Sequence, residues 1–294
     1  MNDTRYILIT PAYNEARFLP GVIETVVAQT VKPVAWMIVS DGSTDATDEI
    51  ARKAAAEHDF IRFLRHENRT ATPPAFGRLA WRKVCTIRAG LAELGDIPSA
   101  YIANMDADVT FAPDFFERLM GKMAADPKIG IGGGFIYNTE AGREWPYFIN
   151  PEGVGGPLQF FRRACFQETG GYVPCAMEDA LALIMAHMHG WKTRSFPDLK
   201  ILHHKTARAK GAHPLRGMFH AGAVERAVGF SLIYHLARNV PDILRPPYVL
   251  GSVARTAGYA WAAGKGKDAG VPSDIRAFMR KEQMERLRRK LLGR

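Results

Sequence analysis

Residues 101–110 read Tyr-Ile-Ala-Asn-Met-Asp-Ala-Asp-Val-Thr, an apolar run that ends in two aspartates at alternate positions. A run of this kind reads as a strand near the middle of a sheet. Side chains at i and i+2 on a strand point to one face, so Asp106 and Asp108 would leave its C-terminal end on the same side. Two like charges so placed repel unless something positive lies between them. Taken alone, the pair also fits a solvated loop, or a cap for the helix that Pro113 and Asp114 would open. The rest of the chain has to decide.

Residues 5–10, 34–40, 61–64, 99–105 and 129–136 share the pattern of short buried strands, rich in Ile, Val, Leu, Phe and Tyr and bounded by Pro, Gly or Asp. Between the first four lie stretches with helical spacing, at 16–29, 46–57 and 76–94. Strand and helix in alternation imply an α/β fold, a mostly parallel central sheet flanked by helices. Such sheets bind ligands off the carboxyl ends of their strands. There the sequence places Thr10-Pro11-Ala12-Tyr13-Asn14-Glu15, then Ser40-Asp41-Gly42-Ser43-Thr44-Asp45, then Asp106 and Asp108. Ser43 or Asp45 suits the N-cap of the second helix. A nucleotide at this edge would find backbone donors, carboxylates and a helix N-terminus together. Asp41-Gly42 alone reads first as a simple turn.

Composition limits the alternatives. At 294 residues and 47% hydrophobic content, the chain can bury a substantial core. Three cysteines, Cys85, Cys165 and Cys175, lack paired metal-ligand spacing and fit neither a disulfide framework nor a zinc ribbon. A reducing, cytoplasmic setting is expected, with no signal peptide at the N-terminus. No uncharged segment reaches the roughly 18–20 apolar residues that cross a bilayer, because Arg238, Arg255 and others interrupt the candidates. No repeat or low-complexity tract is present. The net charge of +9 is uneven: residues 1–200 carry 21 Lys+Arg against 24 Asp+Glu, and residues 201–294 carry 18 against 6. A segment so basic suits an anionic partner, or is an ordinary solvated face.

Five elements in order carry a resemblance: PAYNE at 11–15, VSDGSTD at 39–45, DAD at 106–108, GGY at 170–172, and Glu178-Asp179 opening MEDALALIMAHMHGW. Together they span about two thirds of the chain and resemble the family 2 glycosyltransferases of the GT-A fold. The resemblance implies a nucleotide-sugar donor, a divalent Mg2+ or Mn2+ ion, and inversion at the anomeric carbon. It puts Pro11, Ala12, Tyr13 and Glu15 around the base and ribose, with Asp41 reading the base and Ser43 and Ala107 nearby. It puts Asp106 near the ribose and metal and Asp108 on the metal. The chemistry agrees, since a departing nucleoside diphosphate gains negative charge that a hard, oxygen-liganded cation stabilises. A UDP-sugar is the first expectation for the donor, with GDP or dTDP as the other bases.

Inversion in one displacement needs a general base facing the acceptor hydroxyl. The family pattern gives that role to Asp179. Glu178 is assigned to the acceptor or simply favours the dipole of the helix it opens. The pair His203-His204, beside Lys205 and after the apolar Leu199-Lys200-Ile201-Leu202, matches a position where the family often carries a histidine on the metal or diphosphate. Neighbours on a strand point oppositely, and the sequence leaves open which imidazole faces inward. Arg162 and Arg163 are candidates for phosphate oxygens or the solvated start of a helix, and Gly171 belongs to the acceptor side by the GGY match. One departure stands out: where the family often has Asn-x-Gly before the fourth strand, this chain has Arg88-Ala89-Gly90. Arg88 could reach the donor diphosphate with its fork of donors.

Residues 216–238 and 246–264 read as two apolar, aromatic helices with scattered arginines. They suit either core packing or an interfacial position with Phe230, Tyr248, Tyr259 and Trp261 at headgroup depth. The tail 276–294, with eight Lys+Arg against two Glu, supports attraction to an anionic membrane. Nucleic acid is not expected, since no reader motif is present. The expectation is therefore a GT-A domain over 1–210, with a nucleotide half to 105 and a metal and acceptor half beyond, followed by a helical extension over 211–294. The enzyme would act on a saccharide or polyprenyl-linked acceptor at the inner face of the membrane. A nucleotidyltransferase and a non-catalytic sugar-nucleotide-binding scaffold are the competing readings.

Overall fold

The computed structural model describes residues 4–67, 77–204, 213–244 and 246–292. Among the described residues, nine strands make one sheet in the order β3 (Ile61–His66), β2 (Ala35–Asp41), β1 (Tyr6–Ala12), β4 (Tyr101–Met105), β8 (Leu158–Arg162), β6 (Ile129–Glu140), β9 (Lys192–His203), β5 (Val109–Phe111), with β7 (Arg143–Phe148) paired to β6. The first half is laid down by β1 (Tyr6–Ala12), β2 (Ala35–Asp41), β3 (Ile61–His66) and β4 (Tyr101–Met105), all parallel. The connecting helices are α1 (Leu19–Val27), α2 (Thr47–Glu57) and α3 (Arg78–Leu94). β1, β2 and β4 are buried along nearly their whole length. That is why their sequences are continuous apolar runs rather than alternating ones. Parallel pairing brings the carboxyl ends of all four strands to one edge.

The second half is mixed. β5 (Val109–Phe111) pairs antiparallel with β9 (Lys192–His203), and β8 (Leu158–Arg162) runs antiparallel between β4 and β6 (Ile129–Glu140). β6 and β9 are parallel, β7 (Arg143–Phe148) forms a hairpin with β6, and the short helix α5 (Arg163–Thr169) follows β8. Helix α4 (Phe115–Ala125) starts after Asp114, as expected, though that side chain makes no cap hydrogen bond. Tyr6, Phe116 and Phe160 meet in the core, with Tyr6 and Phe116 centroids 4.6 Å apart. The Tyr6 hydroxyl donates to the Val31 carbonyl at 2.9 Å, satisfying the one polar atom the ring takes inside.

The chain divides into two compact units. The first comprises residues 1–71, 82–172 and 185–206 and contains the sheet. The second comprises 72–81, 173–184 and 207–294, so it takes in the start of α6 (Glu178–Met188) as well as the C-terminal helices. Those are α7 (Pro214–Val228), α8 (Leu232–Asn239), α9 (Val249–Gly264) and α10 (Ser273–Leu291). The single helix expected over 216–238 is two helices, because Gly229 at φ +106 ends α7 and Ser231 caps α8 by accepting the Tyr234 N–H. α7 and α9 touch through glycine: a Cβ on Gly222 would lie 1.8 Å from the Arg255 carbonyl oxygen, and one on Gly258 1.9 Å from that of Phe219. Glu225, His235 and Arg255 form a buried polar cluster where α7, α8 and α9 meet.

Two interfacial assignments need correction. Phe230 and Tyr259 are buried, and the Tyr259 hydroxyl donates to the Phe230 carbonyl at 2.8 Å. They hold the helices together rather than face a lipid surface. The exposed aromatics of this pair of segments are Tyr248 and Trp261.

Candidate active site

The carboxyl edge of the first unit is built by two loops that lock each other. After β1 the chain turns through Asn14 at φ +54, a left-handed conformation asparagine tolerates. The Asn14 N–H donates to Ser43 Oγ at 3.1 Å, the Glu15 N–H to Thr47 Oγ1 at 2.8 Å, and the Ala16 N–H to Asp45 Oδ2 at 3.1 Å. In return the Thr44 N–H donates to Asn14 Oδ1 at 2.8 Å. Burial opposes ionisation of Asp45, but the hydrogen bonds from Thr47 and Ala16 outweigh it and hold the carboxyl below its ordinary value. The expected cap is displaced: α2 is capped at Ala46, and Ser43 ties the two loops together instead. Ala12 lies in the core, which leaves only its main chain for a ligand, whereas Tyr13 is exposed.

Two adjacent residues of α3 bring positive charge to this edge, one to Asp41 and one to the paired aspartates. Arg82 Nε donates to Asp41 Oδ2 at 2.7 Å and its Nη2 to the Asp41 carbonyl at 3.0 Å, while its guanidinium lies 4.9 Å above the Tyr13 ring. Lys83 Nζ is 2.6 Å from Asp106 Oδ1. The ends of β2 and β4 are thus each tied to one helix. Neither residue is singled out by sequence reading. The available signal is their place near the start of the helix after β3, which in a parallel sheet lies at the carboxyl edge. Burial pushes the Asp106 carboxyl above its ordinary value, with Lys83 opposing and Asp108 reinforcing the shift.

Beyond β4, Asp108 is almost fully buried, at 6% exposure. Its main-chain carbonyl accepts the His204 N–H at 2.9 Å, and its Oδ2 lies 3.5 Å from His203 Nε2. The other face of the His203 ring is held by Asn138, with Nδ1 2.9 Å from Asn138 Oδ1, and by Tyr147, 5.3 Å between centroids. Burial alone would discharge His203, but the hydrogen bond and charge of Asp108 raise it above the ordinary imidazole value. His204 turns the other way: its Nε2 lies 2.7 Å from Thr110 Oγ1 and its ring stacks on Phe18. Burial holds it below the ordinary value. The structure thus assigns the inward position to His203. Lys205 lies outside the described residues.

A divalent cation is implied by the sequence resemblance, and the donors present fit one. Asp108 Oδ1 is buried without a hydrogen-bond partner. An orphaned carboxylate oxygen is costly unless something positive meets it. Among the described residues, no three His, Cys, Asp or Glu side chains are arranged as a complete cage. Mg2+ and similar hard ions do not need one, since they keep waters and take substrate phosphates as ligands.

Arg162 and Arg163, expected near phosphate, are placed differently. β4 and β8 pair with Tyr101 opposite Arg162, so Arg162 sits at the amino end of β4, away from Asp106. It donates to the Met123 and Ile129 carbonyls, and Arg163 donates to those of Ile97 and Ser99. Both arginines close the opposite edge of the sheet, which corrects their assignment to phosphate. Arg88 donates to the Tyr172 carbonyl at 2.9 Å. Gly171 makes a turn at φ +73, and a Cβ there would run into the Phe166 ring. In the second unit, Glu178 and Asp179 form the acidic first turn of α6, favourable to the helix dipole, and Asp179 Oδ1 accepts the Ala180 N–H at 2.8 Å.

The sequence model of Glycosyl transferase family 2 matches residues 7–77 and 88–180, more than half of the chain, including PAYNE, VSDGSTD, DAD, GGY and Glu178-Asp179. The chain belongs to glycosyl transferase family 2. It is similar to succinoglycan biosynthesis protein ExoA of Rhizobium meliloti (strain 1021), 30% identical over 121 residues that cover 41% of this chain and 33% of that protein. It is also similar to polyprenol monophosphomannose synthase of Mycolicibacterium smegmatis (strain ATCC 700084 / mc(2)155), 27% identical over 145 residues, 49% of each chain. The match thus spans at most about half the length of these curated relatives. Among solved structures, the mannosyltransferase PcManGT from Pyrobaculum calidifontis in complex with GDP-Man and Mn2+ aligns with a TM-score of 0.56 at 17% identity, over 96% of this chain and 80% of that one. At that identity the likeness establishes the GT-A fold of this family 2 member, the architecture expected from the sequence.

Proposed function

We propose that this family 2 protein transfers a sugar from a nucleotide-sugar donor to a saccharide or polyprenyl-linked acceptor, with inversion and with help from Mg2+ or Mn2+. The observation that carries the reading is the carboxyl edge itself, where Asp41 and Asp106 are held by Arg82 and Lys83 and Asp108 presents a buried, unpartnered oxygen beside His203. Tyr13, Asp41 and Arg82 bind the nucleoside, the ring offering a stacking face and the carboxylate an acceptor for base N–H groups. Lys83 adds positive charge next to the ribose and diphosphate. Asp108 and His203 would hold the cation, whose chemistry is to offset the charge that builds on the departing diphosphate. Asp179 takes the proton from the acceptor hydroxyl.

The relatives support the substrate classes. ExoA is named for succinoglycan biosynthesis, the synthase for a polyprenol product, and PcManGT was solved with GDP-Man and Mn2+. A lipid-linked acceptor sets the reaction at the cytoplasmic face of a membrane, with the basic C-terminal segment attracted to it. No helix among the described residues is long and apolar enough to cross one.

The test is calorimetric titration of UDP, GDP and dTDP into the protein, with and without Mn2+, and into Asp108→Ala. One nucleotide is expected to bind in a metal-dependent way and to lose that dependence in the variant. Absence of binding for all three would overturn the proposal.

A further inference from the structure

We propose that the protein docks on an anionic lipid surface through one particular face, formed by α8, the short 3-10 turn at Pro241–Leu244 and the outer side of α9. This deepens the membrane part of the function above and rests on it, narrowing the two expected interfacial segments to one face.

Exposed apolar side chains concentrate here. On α8, Leu232, Ile233 and Leu236 point outward at 53%, 67% and 46% exposure while His235 and Asn239 point in. The turn adds Leu244 at 82%, and α9 adds Leu250 at 64% and Val253 at 58%. The outward positions of α9 continue through Ala257, Ala260 and Trp261, so this helix offers water no charged side chain along its open face. A helix whose outer side is apolar along its whole length is ordinarily covered by something, and exposed apolar side chains gathered on adjoining elements in this way mark an interaction surface.

Charge identifies what covers it. Residues 201–294 carry 18 Lys+Arg against 6 Asp+Glu, and Arg238, Lys265 and the end of α10 at Arg288, Arg289 and Lys290 are exposed. A second copy of the chain would bring the same excess of positive charge against itself. Anionic headgroups complement it, with Tyr248 and Trp261 as amphipathic rings near the two ends of the apolar stripe. At about 1.5 Å per residue, a 16-residue α9 is too short to span a bilayer and lies in its plane. α10 has a different part. Of its apolar residues, Ile275 and Met279 are buried and Leu291, at the last position, is exposed, while Arg280 donates to the Gly229 carbonyl at 2.7 Å, so the tail contributes mainly charge and α8 and α9 contribute insertion.

The experiment is co-sedimentation of the full chain with phosphatidylcholine vesicles, with and without phosphatidylglycerol, for the wild type, Ile233→Asp/Leu250→Asp and Arg288→Glu/Arg289→Glu. The wild type is expected on the anionic vesicles. The apolar pair of substitutions should weaken partition about tenfold or more, the charge pair less, and only the charge effect should vanish in high salt. Circular dichroism and calorimetric binding of nucleotide with Mn2+ are expected to be unchanged in the apolar variant, which separates loss of docking from loss of fold. Failure of nucleotide binding with vesicle binding intact would sink the catalytic reading and leave this one standing. The inference is overturned if the wild type ignores both vesicle types, if the Ile233→Asp/Leu250→Asp protein sediments like wild type, or if sedimentation velocity shows a dimer that those substitutions dissolve.

Discussion

Arg82 does three things with one guanidinium: it bonds the Asp41 carboxylate, bonds the Asp41 main-chain carbonyl and covers the Tyr13 ring. A lysine keeps the charge but has neither the planar fork nor the stacking face. Arg82→Lys is therefore expected to weaken nucleotide binding about five- to tenfold, a loss of about 1 kcal/mol, with little change in kcat; calorimetry and steady-state kinetics on one preparation check both. Asp179 should behave in the opposite way. If it takes the acceptor proton, Asp179→Asn lowers kcat by about 100-fold or more while nucleotide and metal binding are retained. Equal turnover in the variant would remove Asp179 from the mechanism. The two substitutions divide binding from chemistry, which neither does alone.

Glycine at two positions of α7 has opposite meanings. A Cβ at Gly222 meets the Arg255 carbonyl oxygen at 1.8 Å, so Gly222→Ala forces α7 and α9 apart and is expected to cost about 1–3 kcal/mol. Gly217 has nothing within 4 Å of a Cβ, and Gly217→Ala should stabilise the helix by about 0.5–1 kcal/mol. Thermal melts of the two variants should shift in opposite directions. The sequence could not distinguish them, because close approach belongs to the partner helix as much as to the glycine. The same reasoning explains what else was legible. β1 to β4 and their helices announce themselves through buried apolar runs ended by turn residues, and so the carboxyl edge with Asp41, Asp106 and Asp108 could be placed in advance. β8 reads Leu-Gln-Phe-Phe-Arg, equally compatible with a helix start, and is a strand only because β4 and β6 flank it. β7 is mostly exposed and has no apolar pattern to read. Arg82, Lys83 and Asn138 entered the site through tertiary contact, and Arg162 and Arg163 left it for the same reason.

The uneven charge of the chain sets how it should respond to acid. Glu225 is buried among His235, Arg255 and Arg238, and Arg255 is paired in turn with Asp242. Burial acts to raise the Glu225 carboxyl, but the hydrogen bonds from His235 and Arg255 and the charges of Arg255 and Arg238 prevail and hold it below its ordinary 4.5. A carboxyl lowered by folding contributes stability that is fully present above its unfolded value and is lost as pH falls through the folded one. The cluster therefore stabilises α7, α8 and α9 at neutral pH, and this contribution is lost as pH falls from 4.5 through the lowered folded value. Protonation of the few carboxylates in residues 201–294 also leaves 18 Lys+Arg with less opposition, so self-repulsion acts in the same region and the same direction. Hydrogen exchange on lowering the pH should show amides of these three helices losing protection before those of β1, β2 and β4. Glu225→Gln should lose up to about 3 kcal/mol at neutral pH and show a flatter acid limb, since the group that titrates is gone. Simultaneous loss of protection in sheet and helices, or an acid limb unchanged by the substitution, would mean that the acid response is governed elsewhere in the chain.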